Sequence, residues 1–351
     1  MVRSTLWRLL VLVCILIGGL GSRIDAQSQV SDRPLQIVAT VPGLGSLVQA
    51  IGGDRVSITV LAKGTEDAHF LEAKPSFIKA LSQADLYVQL GLDMEIGWAP
   101  TLLQQARNAN VLPGAVGHVD ASTAIIPLDV PTGSVDRSMG DVHIYGNPHY
   151  LLDPIQGLKV ARLLRDTLAA VRPADSAYFE TQYARFHQHL GAAMVGDVLA
   201  QKYDVEKLAV LYEHGRLQAF LQSQGEASLL GGWFGRMVSY AGTKAVADHN
   251  QWPYFAQRFR VAILGFMEPK PGVPPTTRHL QSLVQTMRDQ GVQLILTSAY
   301  YDSRHARFLA QHTRAKIADM ANEVGAREGT QDYLRMVDYN VRQFITALGG
   351  A

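Results

Sequence analysis

Three histidines stand in turn-rich stretches that could present their rings to a common ligand. His149 follows Gly146-Asn147-Pro148 and runs into Tyr150-Leu151-Leu152-Asp153-Pro154, which puts its imidazole at the tip of a proline-stiffened turn. His69 lies in Glu66-Asp67-Ala68-His69-Phe70-Leu71-Glu72, and His249 in Ala247-Asp248-His249-Asn250-Gln251-Trp252-Pro253. A neutral imidazole held on an ordered turn is a good donor for a borderline cation such as zinc. Asp319, after Lys316-Ile317-Ala318, offers a carboxylate in a similar setting. Three imidazoles and one carboxylate would complete a four-coordinate zinc site. Each residue also has a plainer reading as a helix cap or surface group. The remaining histidines, His118, His143, His187, His189, His214, His279, His305 and His312, supply many decoys.

The elements that would position these side chains alternate between strand and helix. Leu35 to Thr40, Val56 to Ala62 and Leu86 to Leu90 have the composition of buried strands, with helical spacing over Leu44–Ile51 and Pro75–Leu81. In the second half, Ala209–Tyr212, Ala245–Asp248, Val261–Phe266, Val292–Thr297 and Ala315–Ala318 are expected as strands. Thr277–Gln290, Arg304–Thr313 and Gln331–Leu348 are expected as helices. Between the halves, Asp153–Ala170 is amphipathic, and from Ala174 to about Ala200 apolar residues recur every three or four positions. That second run predicts one helix of about 25 residues, about 38 Å long, acting as a strut.

The expected fold class is α/β: two lobes, each a mainly parallel β-sheet flanked by helices, joined by one long rigid backbone helix. The lobes are assigned to residues 27–172 and 201–351, with the linking helix at 173–200. His69, His149, His249 and Asp319 all fall at the carboxyl ends of expected strands or in the loops that follow, where open α/β sheets bind their ligands. Gly114–Gly146 interrupts the alternation. It is rich in Pro, Gly, Ser and Asp, and carries His118 and His143.

Residues 1–26 look like a signal peptide: Arg3 and Arg8 precede the apolar run Leu9–Leu20, and Ala26 offers a cleavage site. Export to the periplasm as a protein without a lipid anchor is the expectation, because Leu12-Val13 is a poor lead-in to an acylated cysteine. Cys14 is the single cysteine, so removing the leader leaves no thiol for disulfides or metal. The formal charge of the 351-residue chain is +1, and it shifts to about −1 without the leader. A near-neutral protein has no electrostatic case for binding nucleic acid.

Several segments together resemble one family. Asp67-Ala68-His69-Phe70-Leu71-Glu72 through Pro75-Ser76 resembles the D-P-H-x-Y-E-x-x-P-S motif of the zinc/manganese-binding proteins of bacterial metal ABC transporters (the cluster A-I solute-binding family). Asn147-Pro148-His149-Tyr150-Leu151-Leu152-Asp153-Pro154 resembles their D-P-H-x-W-L-D-P. His249 through Tyr254-Phe255, Glu268 through Pro271-Gly272, Asp319-Met320-Ala321 and Tyr333 match further segments in the family's order.

The resemblance implies a monomeric, non-enzymatic protein that holds metal between two lobes and delivers it to an inner-membrane ABC permease, with a periplasmic metallochaperone as a further candidate partner. It implies His69 and His149 from the first lobe, and His249 and Asp319 from the second, as metal ligands. His118 and His143 become accessory contacts. Histidine at the third position is typical of zinc members, and glutamate of manganese members. Zn(II) is therefore the expected cargo, with Mn(II) second.

The chain departs from the pattern at Ala68 and Asn147 and lacks a long histidine-rich loop. Asp319 is the loosest member of the ligand set, since water, Glu66, Asp67 or Asp302 could take its place. An exported zinc hydrolase and a metal-binding adhesin are the competing classes. The hydrolase would want a local H-E-x-x-H pair, which is absent. With imidazole ligands, affinity is expected to fall as pH drops through about 6.5. Metal release is expected from local loop movement more than from hinge bending.

Overall fold

The computed structural model describes residues 33–133 and 142–350. The leader with Cys14, and Asp136 and Asp141 of the loop, lie outside these residues. From Leu35 the chain runs β1 (Leu35–Ala39), α1 (Pro42–Gly52), β2 (Val56–Val60), α2 (Pro75–Ser82), β3 (Leu86–Gln89), α3 (Ala99–Ala106) and β4 (His118–Asp120). Helices α4 (Pro154–Val171), α5 (Ser176–Val195), α6 (Asp197–Lys202), α7 (Val205–Glu213), α8 (Leu217–Ser223) and α9 (Gly232–Met237) follow. The second half then runs β5 (Lys244–Ala247), α10 (Pro253–Phe259), β6 (Ala262–Phe266), α11 (Thr277–Gln290), β7 (Leu294–Thr297), α12 (Ser303–His312), β8 (Lys316–Asp319) and α13 (Tyr333–Ala347).

Both sheets are parallel and share one topology, β2-β1-β3-β4 and β6-β5-β7-β8. Covering helices on both faces explain why the central strands read as unbroken apolar runs. Ala245 and Ala247 of β5 face the main core, whereas Val246 joins Ile295, Met287 and Leu309 on the other face of the sheet. The β5–β6 register shifts between Ala245 and Ala247, immediately before Asp248-His249. Such an irregularity re-aims the residues that follow it.

Local chemistry sets the helix limits. Thr276 accepts from the His279 amide and Gly291 (φ 65°) closes the other end, so α11 spans Thr277–Gln290 as its pattern predicts. Asp302 accepts from the Arg304 amide at the start of α12. At α1 the cap residue Val41 has no side-chain oxygen. Instead the Glu323 carboxylate, from the segment after β8, accepts the Gly43 amide. A Cβ on Gly43 would come within 2.6 Å of Glu323 Oε1, so only glycine leaves room for this cap between the two halves.

Two expectations need correction. Ala209–Tyr212 is part of α7, not a strand: Asp204 accepts from the Glu206 and Lys207 amides, and Val205, Leu208, Ala209 and Tyr212 form its buried face. The expected strut is also interrupted. Residues Pro173–Asp175 form a 3-10 turn, α5 has 20 residues, and Gly196 (φ 90°) ends it before α6 resumes. Tyr183, Phe186, Leu190 and Met194 of α5 are buried as their spacing predicts.

The segment from Asn147 to Asp153 is fastened to the second half by buried polar contacts. Arg258 of α10 donates from Nε (2.8 Å) and an Nη (3.0 Å) to the two carboxylate oxygens of Asp153, and also to Glu213 and the Ala209 carbonyl. Both members of the Asp153–Arg258 pair are under 5% exposed. Asp153 also accepts from the Ile155 amide and so caps α4. Removing one member of such a pair strands a buried charge, so Asp153→Ala should cost about 3–5 kcal/mol. Denaturant unfolding of the metal-free protein measures it; a loss under about 1 kcal/mol, typical of surface pairs, would show the pair to be dispensable.

Candidate metal centre

His69, His149 and His249 each place a ring nitrogen within 4.8 Å of the other two. Their ring centroids are 5.5 Å apart for His69–His149, 5.9 Å for His69–His249 and 5.7 Å for His149–His249. In all three rings Nδ1 is engaged: His69 with Asp67 Oδ1 (2.6 Å), His149 with Asn147 Oδ1 (3.0 Å) and His249 with Glu268 Oε2 (2.7 Å). Oxygen acceptors at Nδ1 fix the proton there and leave the Nε2 lone pair for a cation, the usual support for metal-binding imidazoles. Asp67 and Asn147 also accept the backbone amides of His69 and His149, so each turn is locked to the ring it carries. Tyr301 stacks near the His249 ring, with centroids 5.9 Å apart and a 21° tilt.

His143 approaches as a fourth ring. Its Nε2 lies 3.0 Å from His69 Nε2, and its ring also bonds the Leu92 carbonyl. That carbonyl is presented by three consecutive left-handed residues, Gly91, Leu92 and Asp93. The two Nε2 atoms thus face each other at hydrogen-bond distance. With Zn–N bonds of about 2.0–2.1 Å, tetrahedral geometry sets ligand nitrogens about 3.3 Å apart, close to the observed contact.

Asp319 stands apart from this set. It is paired with Arg327, accepts from Thr297 Oγ1 at 3.3 Å, and its side chain is 55% exposed. To bind the same ion it would have to leave Arg327. His118 is also elsewhere: its Nδ1 donates to the Val111 carbonyl and its ring packs on Tyr87. Of the alternative carboxylates, Glu66 accepts from the Lys63 amide, Asp67 orients His69, and Asp302 caps α12. Leu92 had no sequence signal apart from following Gly91. The role of Glu268 was visible only as part of the E-x-x-P-G segment.

Burial and the crowding of rings set the electrostatics. Burial first, then the neighbouring His69, holds His143 down to about 4; burial, then His69, His249 and His143, holds His149 well below the usual imidazole range. For Asp67 burial works upward, but the hydrogen bonds and charge of His69 outweigh it and keep the carboxyl low. His143 and His149 therefore stay neutral when folded, whereas their unfolded forms take up protons near 6.5. Stability of the metal-free protein should fall as pH drops below about 6.5 and continue falling towards 4. Thermal melts at pH 7 and pH 5 test this; an unchanged midpoint in both wild type and His149→Ala would contradict the buried neutral state. Loss of an Nδ1 acceptor should also weaken metal binding, and Glu268→Ala is expected to cost about 10–100-fold in zinc affinity, measured by chelator competition.

The family model described as "Zinc-uptake complex component A periplasmic" matches residues 37–225 and 223–347. The chain is similar to the manganese ABC transporter substrate-binding lipoprotein PsaA of Streptococcus pneumoniae, 22% identical with 97% of each chain covered. It is also similar to the manganese-binding lipoprotein MntA of Halalkalibacterium halodurans, 20% identical with 97% of this chain and 96% of the relative covered. Among solved structures, a crystal structure of ZnuA superposes with a TM-score of 0.62 at 21% identity, covering 90% of this chain and 97% of that one. The Mn-bound periplasmic metal-binding protein from candidatus liberibacter asiaticus gives 0.63 at 14% identity, covering 89% and 98%.

Proposed function

Because the chain belongs to the family of the zinc-uptake complex component A, we propose that it captures Zn(II) in the periplasm and delivers it to an inner-membrane permease. It is a metal-binding substrate-binding protein of an ABC transporter, not an enzyme, and it works outside the cytoplasm with the transporter's membrane components. Zinc as the cargo rests on one observation: the convergence of His69, His149 and His249 with every Nδ1 engaged by an oxygen. Imidazole donors suit zinc, whereas manganese prefers hard oxygen.

His143 lies outside the three mutually close rings but touches His69, so it supports the reading as a fourth donor that would shift inward, in place of Asp319. It already touches His69, while Asp319 is held by Arg327. Four protein ligands close a site and leave no position for a reacting water, which suits storage and transfer. Burial of His143 and His149 also moves proton competition below the expected 6.5, so these two rings stay available to the ion in mildly acidic surroundings.

Manganese is the second reading, favoured by the names of the relatives PsaA and MntA. Both are lipoproteins by name, at odds with the expectation of an unanchored protein drawn from the residues before Cys14. An acylated cysteine would appear in the mass of the mature amino terminus.

Competition titration of the metal-free protein with zinc and manganese tests the cargo. Zinc is expected to win by a wide margin, and preference for manganese would overturn the reading. In the same assay His149→Ala should abolish tight binding, and His143→Ala should weaken it more than Asp319→Ala. The reverse order for the last two would restore Asp319 as the ligand.

A further inference from the structure

A second concavity opens on the first lobe, at the carboxyl ends of β3 and β4, with a volume of about 850 Å³. That lies within the range of pockets that hold small organic ligands. Its wall is apolar, from Leu92, Ile96, Leu103, Leu112 and Tyr145. Ile96 and Tyr145 are 66% and 59% exposed.

The polar groups that line it include a cluster of hydrogen-bond acceptors. Asp120 Oδ1 accepts from the amide and hydroxyl of Ser122, and Oδ2 from Gln89 Nε2, which leaves Gln89 Oε1 as an acceptor. His118 spends its Nδ1 proton on the Val111 carbonyl, which leaves Nε2 as its other ring nitrogen. Glu95 is 3% exposed and accepts from Thr40 Oγ1 and the Leu90 and Gly91 amides. Burial first, opposed by these bonds, raises it to about 7. Asp93 adds a third carboxylate, and among the described residues no lysine or arginine is paired with Asp93, Glu95 or Asp120. The single cationic residue in the lining, Arg107, is exposed.

Glu95 meets the cost of its burial with these bonds and its raised pKa, whereas Asp93 and Asp120 are half-buried carboxylates in the lining that the charge of a ligand can meet. Gly91 (φ 77°) lets the backbone pass against Asp120, where a Cβ would come within 2.1 Å of Oδ1, so the floor is built with no room to spare. We propose that this concavity is a binding site for a small organic cation, an ammonium or guanidinium-type group on an apolar body, whose donors meet Asp120, Gln89 and His118 while its body packs on Ile96, Leu103 and Tyr145. The site is separate from the metal centre, although Leu92 and the 143–145 segment border both.

Benzamidine is a suitable probe, with neutral, isosteric benzamide as the control, and binding read by calorimetry and by protein NMR shifts. Charge-assisted bonds should favour benzamidine over benzamide by about ten-fold or more. Asp120→Asn should remove most of that preference, and Gln104→Trp, on the exposed rim, should block both ligands by filling the opening. Both variants should keep wild-type zinc affinity, which shows that they fold. Absence of benzamidine binding at millimolar concentration, equal affinity for benzamide, or indifference to both substitutions would overturn the proposal. A wild-type protein that takes benzamidine but not zinc would overturn the transport reading and leave this one standing.

Discussion

The proposed metal centre depends on the fastening of the 147–153 turn to the segment 249–258. Asn147 Nδ2 donates to the Asn250 carbonyl at 2.7 Å, the Tyr254 hydroxyl donates to the Asn147 carbonyl at 2.8 Å, and Arg258 grips both oxygens of Asp153. These bonds bring a ring from the first half of the chain against a ring from the second. Asn147 serves twice, since its Oδ1 orients the His149 ring while its Nδ2 reaches across. The same short stretch therefore sets the ligand's tautomer, its position and the junction of the two halves.

That arrangement bears on how metal is released. Arg258 and Asp153 are buried, and Tyr333 adds bonds to the Leu151 and Asp153 carbonyls, so opening this junction would expose several polar groups at once. Helix α5 still runs for 20 residues before Gly196 ends it and α6 resumes. His143 lies on a chain segment held by contacts to His69 and Leu92.

Much of the architecture was legible because several local signals agreed. For α11 the apolar period, the Thr276 cap and Gly291 all marked the same limits. Alternation of strand and helix implied two parallel sheets, and the positions of His69, His149 and His249 after strands implied one shared cleft. Where a single signal stood alone it misled: Ala209-Val210-Leu211-Tyr212 is apolar enough for a strand, and its helical state depends on Asp204 and on packing of the 205–212 face. Spacing could not separate His143 from His118, because the difference is three-dimensional: one meets His69, and the other turns to Val111. Nor could it show Arg327, eight residues beyond Asp319, claiming the carboxylate assigned to metal.

X-ray absorption at the zinc edge of the loaded protein counts the donors directly. Four nitrogen or oxygen neighbours at about 2.0–2.1 Å are expected, with outer-shell scattering that requires at least three imidazoles. A shell dominated by oxygen, with fewer than three imidazoles, would contradict the account.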